Sequence, residues 1–178
     1  QEGLALVVAK RNRHKSFVDL RGKRLSRLED DRLSDVFLET LCRKEAGNAC
    51  VDVFQISRER RDILSIHKVF FGKSDAALVR LSALRAATEL NPQIGAHLEA
   101  LLVWKTNALS FGLMSSRVTS DFRELVLRSA QQASKTPRGK QILELFKTDY
   151  MGRVDKQDLE PFWRLHREYQ ELVMTKSK

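Results

Sequence analysis

The sequence predicts an α/β protein with a mostly parallel sheet, flanking helices and a helical C-terminal tail. Two patterns predict this class. Short apolar runs alternate with amphipathic helical stripes over the first two thirds of the chain, and the last third carries helical periodicity alone. Strands that alternate with helices form βαβ units, in which successive strands pair in parallel.

The first elements follow from apolar runs and from the residues that punctuate them. Residues 4–9 form a continuous apolar run, which predicts a buried strand, and residues 23–26 predict a second strand after the turn at Gly22. A helical stripe follows over residues 33–42. Residues 51–56 predict a third strand, and Ser57 predicts the N-cap of the next helix.

The later elements begin at Gly72, which suits a helix end because the left-handed conformation costs glycine little. Residues 76–79 then predict a strand, and a short helix ends at Asn91-Pro92. The remaining predictions are strands over residues 100–104 and 109–114, and helices over residues 121–135, 139–147 and 155–175.

The chain has 178 residues and a formal net charge of +9, which favours anionic partners. Aromatic residues do not alternate with the basic ones, and no zinc-finger or RNA-binding signature occurs, so nucleic acid is not the expected partner. No run of eighteen apolar residues occurs, so the sequence predicts no transmembrane helix.

The chain contains two cysteines, Cys42 and Cys50. The predicted helix exit between them would bring the two residues within disulfide range. A Cys42–Cys50 disulfide in an oxidising compartment and two buried thiols in a reducing one both remain open. Two cysteines without a nearby histidine do not predict a metal site.

Two charged segments predict candidate sites. Glu29, Asp30 and Asp31 precede a helix, where a carboxylate would cap the helix or, less favoured, contact a ligand or a metal ion. Arg60 and Arg61 lie in the first turn of the helix predicted to start at Ser57. The free N–H groups of a helix start, together with arginines, favour capture of an anion. A solvated helix start is the alternative.

No catalytic constellation is recognisable in the sequence. The four histidines are isolated from one another, and no local motif combines a nucleophile, a base and an orienting group. Gly72-Lys73-Ser74 lacks the upstream glycine of a phosphate-binding loop. The sequence therefore predicts a protein that is not an enzyme and has no cofactor.

Four phrases together resemble the periplasmic substrate-binding proteins of phosphate, phosphite and phosphonate ABC transporters. They are Ser-Phe-Val-Asp-Leu-Arg-Gly-Lys-Arg-Leu at 16–25, Gly-Lys-Ser-Asp-Ala-Ala at 72–77, Pro-Arg-Gly-Lys-Gln-Ile-Leu at 137–143 and Asp-Leu-Glu-Pro-Phe-Trp-Arg-Leu at 158–165. The resemblance implies a two-lobed type-2 periplasmic-binding-protein fold and a periplasmic location. It also implies a small ligand, such as an oxyanion or phosphonate, and a transporter permease as partner.

The chain departs from the family pattern where the oxyanion is gripped. Residues 28–34 carry carboxylates in place of a Ser/Thr-rich turn, and residues 59–62 lack the family's histidine. The resemblance thus implies a solute-binding protein with a degenerate oxyanion pocket. Its ligand would be an oxyanion, a different molecule that is cationic or zwitterionic, or absent altogether. The expected ligand residues are Asp30, Asp31, Ser34, Ser57, Arg60, Arg61 and Asp75.

The resemblance also implies a division of the chain. Residues 1–12 would form one hinge strand, 13–104 the second lobe, 105–118 the return hinge strand and 119–178 helices that pack on a first lobe. We expect the chain to lack that first lobe or to dimerise through its C-terminal helices. The alternative functions are a ligand-sensing module coupled to a membrane sensor, and a binder of nucleic acid or an acidic surface through charge.

Overall fold

The computed structural model describes residues 2–106, 113–145 and 151–174. Its strands are β1 (Glu2–Ala9), β2 (Arg24–Leu28), β3 (Gln55–Glu59), β4 (Ala76–Arg80) and β5 (Leu98–Thr106). Its helices are α1 (Arg32–Glu45), α2 (Cys50–Val53), α3 (Asp62–Phe70), α4 (Leu81–Leu90), α5 (Pro92–His97), α6 (Ser120–Ala133), α7 (Pro137–Leu145) and α8 (Lys156–Met174).

The strands form one sheet in the order β3-β2-β4-β1-β5. The predicted α/β class is confirmed, and the predicted parallel pairing holds for β3, β2 and β4. β1 instead pairs antiparallel with both β4 and β5. The segment between β1 and β2 holds only short 3-10 turns and no crossover helix, so the chain reverses direction there.

The apolar run of β1 is buried because both faces of the sheet are covered. Leu4, Leu6 and Val8 pack in the cluster that contains α1. Ala5 and Val7 pack on the opposite face, with α3, α4 and α5. A strand covered on both faces reads as a continuous apolar run, so the prediction of a buried strand at residues 4–9 is confirmed.

Two predictions between α1 and α3 are wrong. Residues 50–53 form the short helix α2, which leaves Val51 78% exposed, and the strand begins only at Gln55. Ser57 lies inside β3 opposite Ser26 and does not cap a helix, since α3 begins at Asp62. The side chain of Lys68 donates a hydrogen bond to the Ser57 hydroxyl at 3.3 Å, which gives this serine a partner without a helix start.

The segment after β4 contains one helix that was not predicted. Asn91-Pro92 ends α4 as expected, but Asn91 also caps α5 by accepting from the Gln93 N–H at 3.1 Å. The predicted strand at residues 100–104 lies within β5 and is confirmed. Most of the predicted strand at residues 109–114 lies outside the described ranges, because residues 107–112 are not described. The predicted lobe boundaries stay predictions.

The chain divides into two compact units, Gln1–Leu109 with Glu160–Lys178, and Ser110–Leu159. The second unit holds α6 and α7, and Thr119 caps α6 by accepting from the Phe122 N–H at 3.4 Å. Gly139 of α7 lies close to the backbone of Ala133 at the end of α6. A Cβ at this position would lie 2.1 Å from the Ala133 carbonyl oxygen, so only glycine fits there. Across the described residues, no helix combines the length and apolarity needed to cross a membrane.

Candidate functional site at the carboxyl edge of the sheet

The carboxyl ends of the three parallel strands meet at one edge of the sheet, which we call the carboxyl edge. It comprises residues 29–34 after β2, residues 60–62 after β3 and residues 80–81 after β4. Each segment leads into a helix start, at α1, α3 and α4 respectively. Ligands of open α/β sheets bind outside the carboxyl ends of the strands, so this edge is the candidate ligand-binding site.

The acidic segment at this edge closes the start of α1. Asp31 is the N-cap of α1, and its carboxylate accepts from the Ser34 N–H at 3.3 Å and from the Ser34 hydroxyl at 2.8 Å. Ser34 is buried and its hydroxyl is engaged by Asp31. Asp30 precedes this cap in a left-handed conformation, with φ of 53°, and its side chain is exposed. The start of α1 is thus occupied by the chain's own carboxylate.

The start of α3 is open by comparison. Arg61 occupies its N-cap position, and no side chain caps the helix there. Arg60 is 89% exposed, and its Nε lies 3.7 Å from the Glu29 carboxylate across the β2–β3 boundary. An uncapped helix start presents N–H donors and the positive end of the helix dipole, and two guanidinium groups beside it add to that positive potential.

An ion pair between the buried Asp62 and the half-exposed Arg80 fixes this helix start to the neighbouring strand. Asp62, at 5% exposure, accepts from Nε of Arg80 at 2.7 Å and from the Arg80 backbone N–H at 3.3 Å. The sequence gives no local signal for a role of Asp62, because its partner is eighteen residues away and their pairing depends on the order of the strands. Because Arg80 precedes α4 and Asp62 begins α3, the pair holds the starts of these two helices together.

Two other expected ligand residues lie elsewhere. Ser57 faces α3 from within β3, below the edge. Asp75 lies just before β4, at the opposite edge of the sheet, which we call the amino edge. Its carboxylate there accepts from the Arg24 N–H at 3.0 Å and from Arg24 Nε at 3.1 Å. Hydrogen bonding from the Arg24 side chain holds the pKa of Asp75 below its ordinary value, against a smaller opposing effect of burial.

The carboxyl edge therefore gathers Asp30, Asp31, Ser34, Arg60 and Arg61 but neither Ser57 nor Asp75. The acidic segment does not reach a metal-binding arrangement: no group of three or more potential metal-ligating side chains clusters among the described residues. Away from the edge, a disulfide joins Cys42 of α1 to Cys50 of α2, with 5.3 Å between the Cα atoms.

No protein-family model matches the sequence, and no curated protein matches it either. Solved structures do resemble it. A Xanthomonas citri protein bound to ATP has a TM-score of 0.70 at 11% identity, over 97% of this chain and 67% of that one. A Pseudomonas aeruginosa binding-protein component of an ABC phosphonate transporter has a TM-score of 0.68 at 11% identity, over 98% of this chain and 59% of that one.

The chain has the type-2 periplasmic-binding-protein fold. A third structure of this fold, PhnD1 of Prochlorococcus marinus in complex with methylphosphonate, gives a TM-score of 0.64 at 16% identity. The match covers 96% of this chain and 67% of that one. The chain thus spans about three fifths to two thirds of these structures. At these identities the likeness shows the fold, and the predicted type-2 fold is confirmed.

Proposed function

We propose that the protein is a non-enzymatic solute-binding component of an ABC transporter, with its ligand held at the carboxyl edge. The type-2 periplasmic-binding fold supports the solute-binding role. The uncapped start of α3, flanked by the exposed Arg60 and Arg61, is the observation that carries the assignment of the site. Because the carboxyl ends of three strands converge there, side chains from distant parts of the sequence can contact one small molecule.

The charges at this edge favour a zwitterionic ligand. Arg60, Arg61 and the N–H groups of the α3 start suit a carboxylate or phosphonate group. Glu29 and the exposed Asp30 lie on the neighbouring segment, where they would repel an inorganic phosphate and attract an ammonium group. A small molecule that carries an amine and a phosphonate or carboxylate satisfies both halves, and this is the ligand class we propose.

Calorimetric titration at constant ionic strength tests this proposal. The ligands are aminoethylphosphonate and glycine, which carry both an ammonium and an anionic group, with methylphosphonate and inorganic phosphate as simple anions. We expect a zwitterion to bind at least about tenfold more tightly than either simple anion. Replacing both arginines, as Arg60→Ala with Arg61→Ala, should weaken that binding by about tenfold or more.

A matched control changes Arg85→Ala with Arg128→Ala, exposed arginines of α4 and α6 that are not among the proposed site residues, and alters the net charge equally. That control should bind like the unaltered protein. Equal loss in both double variants would show that binding follows net charge and would contradict the assignment. Tighter binding of phosphate than of every zwitterion would contradict the proposed ligand class.

The disulfide supports an extracytoplasmic location, since disulfides persist in oxidising compartments. We propose the periplasm as that compartment and a transporter permease as the partner, with a membrane sensor as the alternative. The predicted dimer through the C-terminal helices stays a proposal; the exposed Phe122 and Leu125 of α6 support it. Sedimentation of the purified chain would decide between a monomer and a dimer.

A further inference from the structure

A cavity lies on the face of the sheet that α1 covers, on the side of β3. Its volume is about 280 Å³, close to the lower limit of about 300 Å³ for ordinary small-molecule sites. β2, β3, α1 and α2 supply most of its lining, and Tyr169 of α8 completes it. All of these residues belong to the first compact unit.

The cavity contains a buried arginine with an unused donor. Arg27 is only 4% exposed. One terminal nitrogen pairs with the Asp35 carboxylate, and the other donates to the Leu28 carbonyl at 3.2 Å. Its Nε has no hydrogen-bond partner among the described residues. Buried donors are rarely left without an acceptor, so a guanidinium in this state indicates that the cavity accommodates an acceptor.

Two further arginines give the cavity a positive charge that its own carboxylates do not balance. Arg58 stands opposite Arg27 on the adjacent parallel strand, and Arg32 begins α1; both line the cavity. Neither of these two makes an ion pair within the described ranges. The two carboxylates of the lining are engaged, Asp35 by Arg27 and Glu39 by Arg43 at 2.7 Å and the Cys50 N–H at 3.0 Å.

Part of the lining is apolar. Val36, Leu38 and Ile56 line the cavity together with the Tyr169 ring. Guanidinium groups bind carboxylates and phosphates in matched pairs of hydrogen bonds, and the apolar side chains suit a hydrocarbon body. An inorganic oxyanion would contact the arginines and leave the apolar wall without a partner. The lining therefore selects for an organic anion.

We propose that this cavity is a second ligand site, for a small organic anion with one carboxylate or phosphate group and an apolar body. Arg32 also belongs to the 29–34 segment of the carboxyl edge, but the cavity lining includes neither Arg60 nor Arg61 nor the start of α3. Ile56 packs toward the α1 cluster, whereas Ser57 contacts Lys68 of α3. The proposal does not depend on the function assigned to Arg60 and Arg61.

The test titrates the full chain with benzoate, phenyl phosphate and inorganic phosphate at constant ionic strength. At least one of the two organic anions should bind about tenfold or more tightly than inorganic phosphate. Replacing both exposed arginines, as Arg32→Ala with Arg58→Ala, should weaken that binding by about tenfold or more. The Arg85→Ala, Arg128→Ala control and the Arg60→Ala, Arg61→Ala variant should keep it.

Methyl NMR shifts of the unaltered protein locate the site independently of any variant. Shifts at Val36, Val51 and Ile56 would support the proposal. It is overturned if neither organic anion binds more tightly than phosphate, or if the methyl shifts lie elsewhere. It is also overturned if the Arg32/Arg58 and Arg85/Arg128 variants lose binding equally. Loss of binding only in the Arg60/Arg61 variant would overturn it and assign these anions to the carboxyl edge.

Discussion

The Asp75–Arg24 pair of the amino edge is engaged, whereas the carboxyl edge combines the engaged Asp62–Arg80 pair with charged residues that have no partner among the described residues. At the amino edge, Asp75 accepts three hydrogen bonds from Arg24, and Arg24 also donates to the Gly72 carbonyl at 3.1 Å. At the carboxyl edge, Asp30 and Arg61 form neither an ion pair nor a side-chain hydrogen bond within the described residues. An Asp-Arg combination is thus structural where both side chains have hydrogen-bond partners within the protein. It is a candidate for ligand contact where the side chains have no such partner.

Substitution of Asp62, the buried member of the Asp62–Arg80 ion pair, should destabilise the protein more than any other change considered at either edge. Asp62→Ala should lower the free energy of unfolding by about 2–3 kcal/mol, because it leaves Arg80 and a backbone N–H without their acceptor. Urea denaturation measures the loss. Asp30→Asn, an exposed change on the same edge to a residue that also tolerates the left-handed conformation, should stay within about 0.5 kcal/mol. Equal losses would remove the distinction between satisfied and open residues.

The amino edge should affect stability without affecting binding. Asp75→Ala should lower the free energy of unfolding by about 1–2 kcal/mol, since three hydrogen bonds from Arg24 lose their acceptor. Ligand titration of the same variant should give an unchanged dissociation constant. A tenfold loss of affinity in Asp75→Ala, with the fold intact, would return Asp75 to the ligand site.

The cap of α1 sharpens the comparison within the carboxyl edge. Asp31→Ala should destabilise the protein by about 1 kcal/mol, because the Ser34 N–H and hydroxyl lose their acceptor. Asp31→Asn should retain most of that stability, since asparagine is also a good N-cap. Thermal unfolding of both variants measures the difference. If alanine and asparagine behave alike, Asp31 acts through its charge and belongs with the open residues.

The smallest effect concerns acid stability. The pKa of Asp75 is depressed in the folded chain, so its ionised form contributes stability that is present above its unfolded pKa of about 4. That contribution is lost as the pH falls through the folded pKa. The stability difference between the unaltered protein and Asp75→Asn should therefore shrink below about pH 4. A difference that stays constant down to full acid unfolding would contradict this assignment.

The sequence predicted the elements whose signals are local. The apolar run of β1, the helix end at Gly72 and the cap of α1 each depend on neighbouring residues, and each was found. The prediction that Ser57 caps a helix was wrong. Serine is a strong N-cap residue, but the N-cap of α3 is Arg61, whose side chain does not cap the helix. The strand placement of Ser57 depends on its pairing with β2, which no local pattern shows.

The sites were predictable only in part for the same reason. Arg60 and Arg61 were predicted because they seemed to adjoin a helix start, and they do lie beside the start of α3, while their contact with a ligand stays a prediction. Asp75 was misplaced because turn residues at the two ends of a strand look alike in sequence, and only the chain direction separates them. Arg27 was overlooked, although its spacing of two from the buried Leu25 placed it on the inward face of β2.

Mapping of backbone amide shifts during titration with aminoethylphosphonate shows whether the ligand binds at the start of α3. We predict that the largest shifts fall on the amides of Asp62 and Ile63 at the start of α3, with smaller ones at residues 29–31. Residues 72–75 at the amino edge should stay unchanged. Shifts concentrated at residues 72–75, or no saturable shift at residues 60–63, would contradict the account.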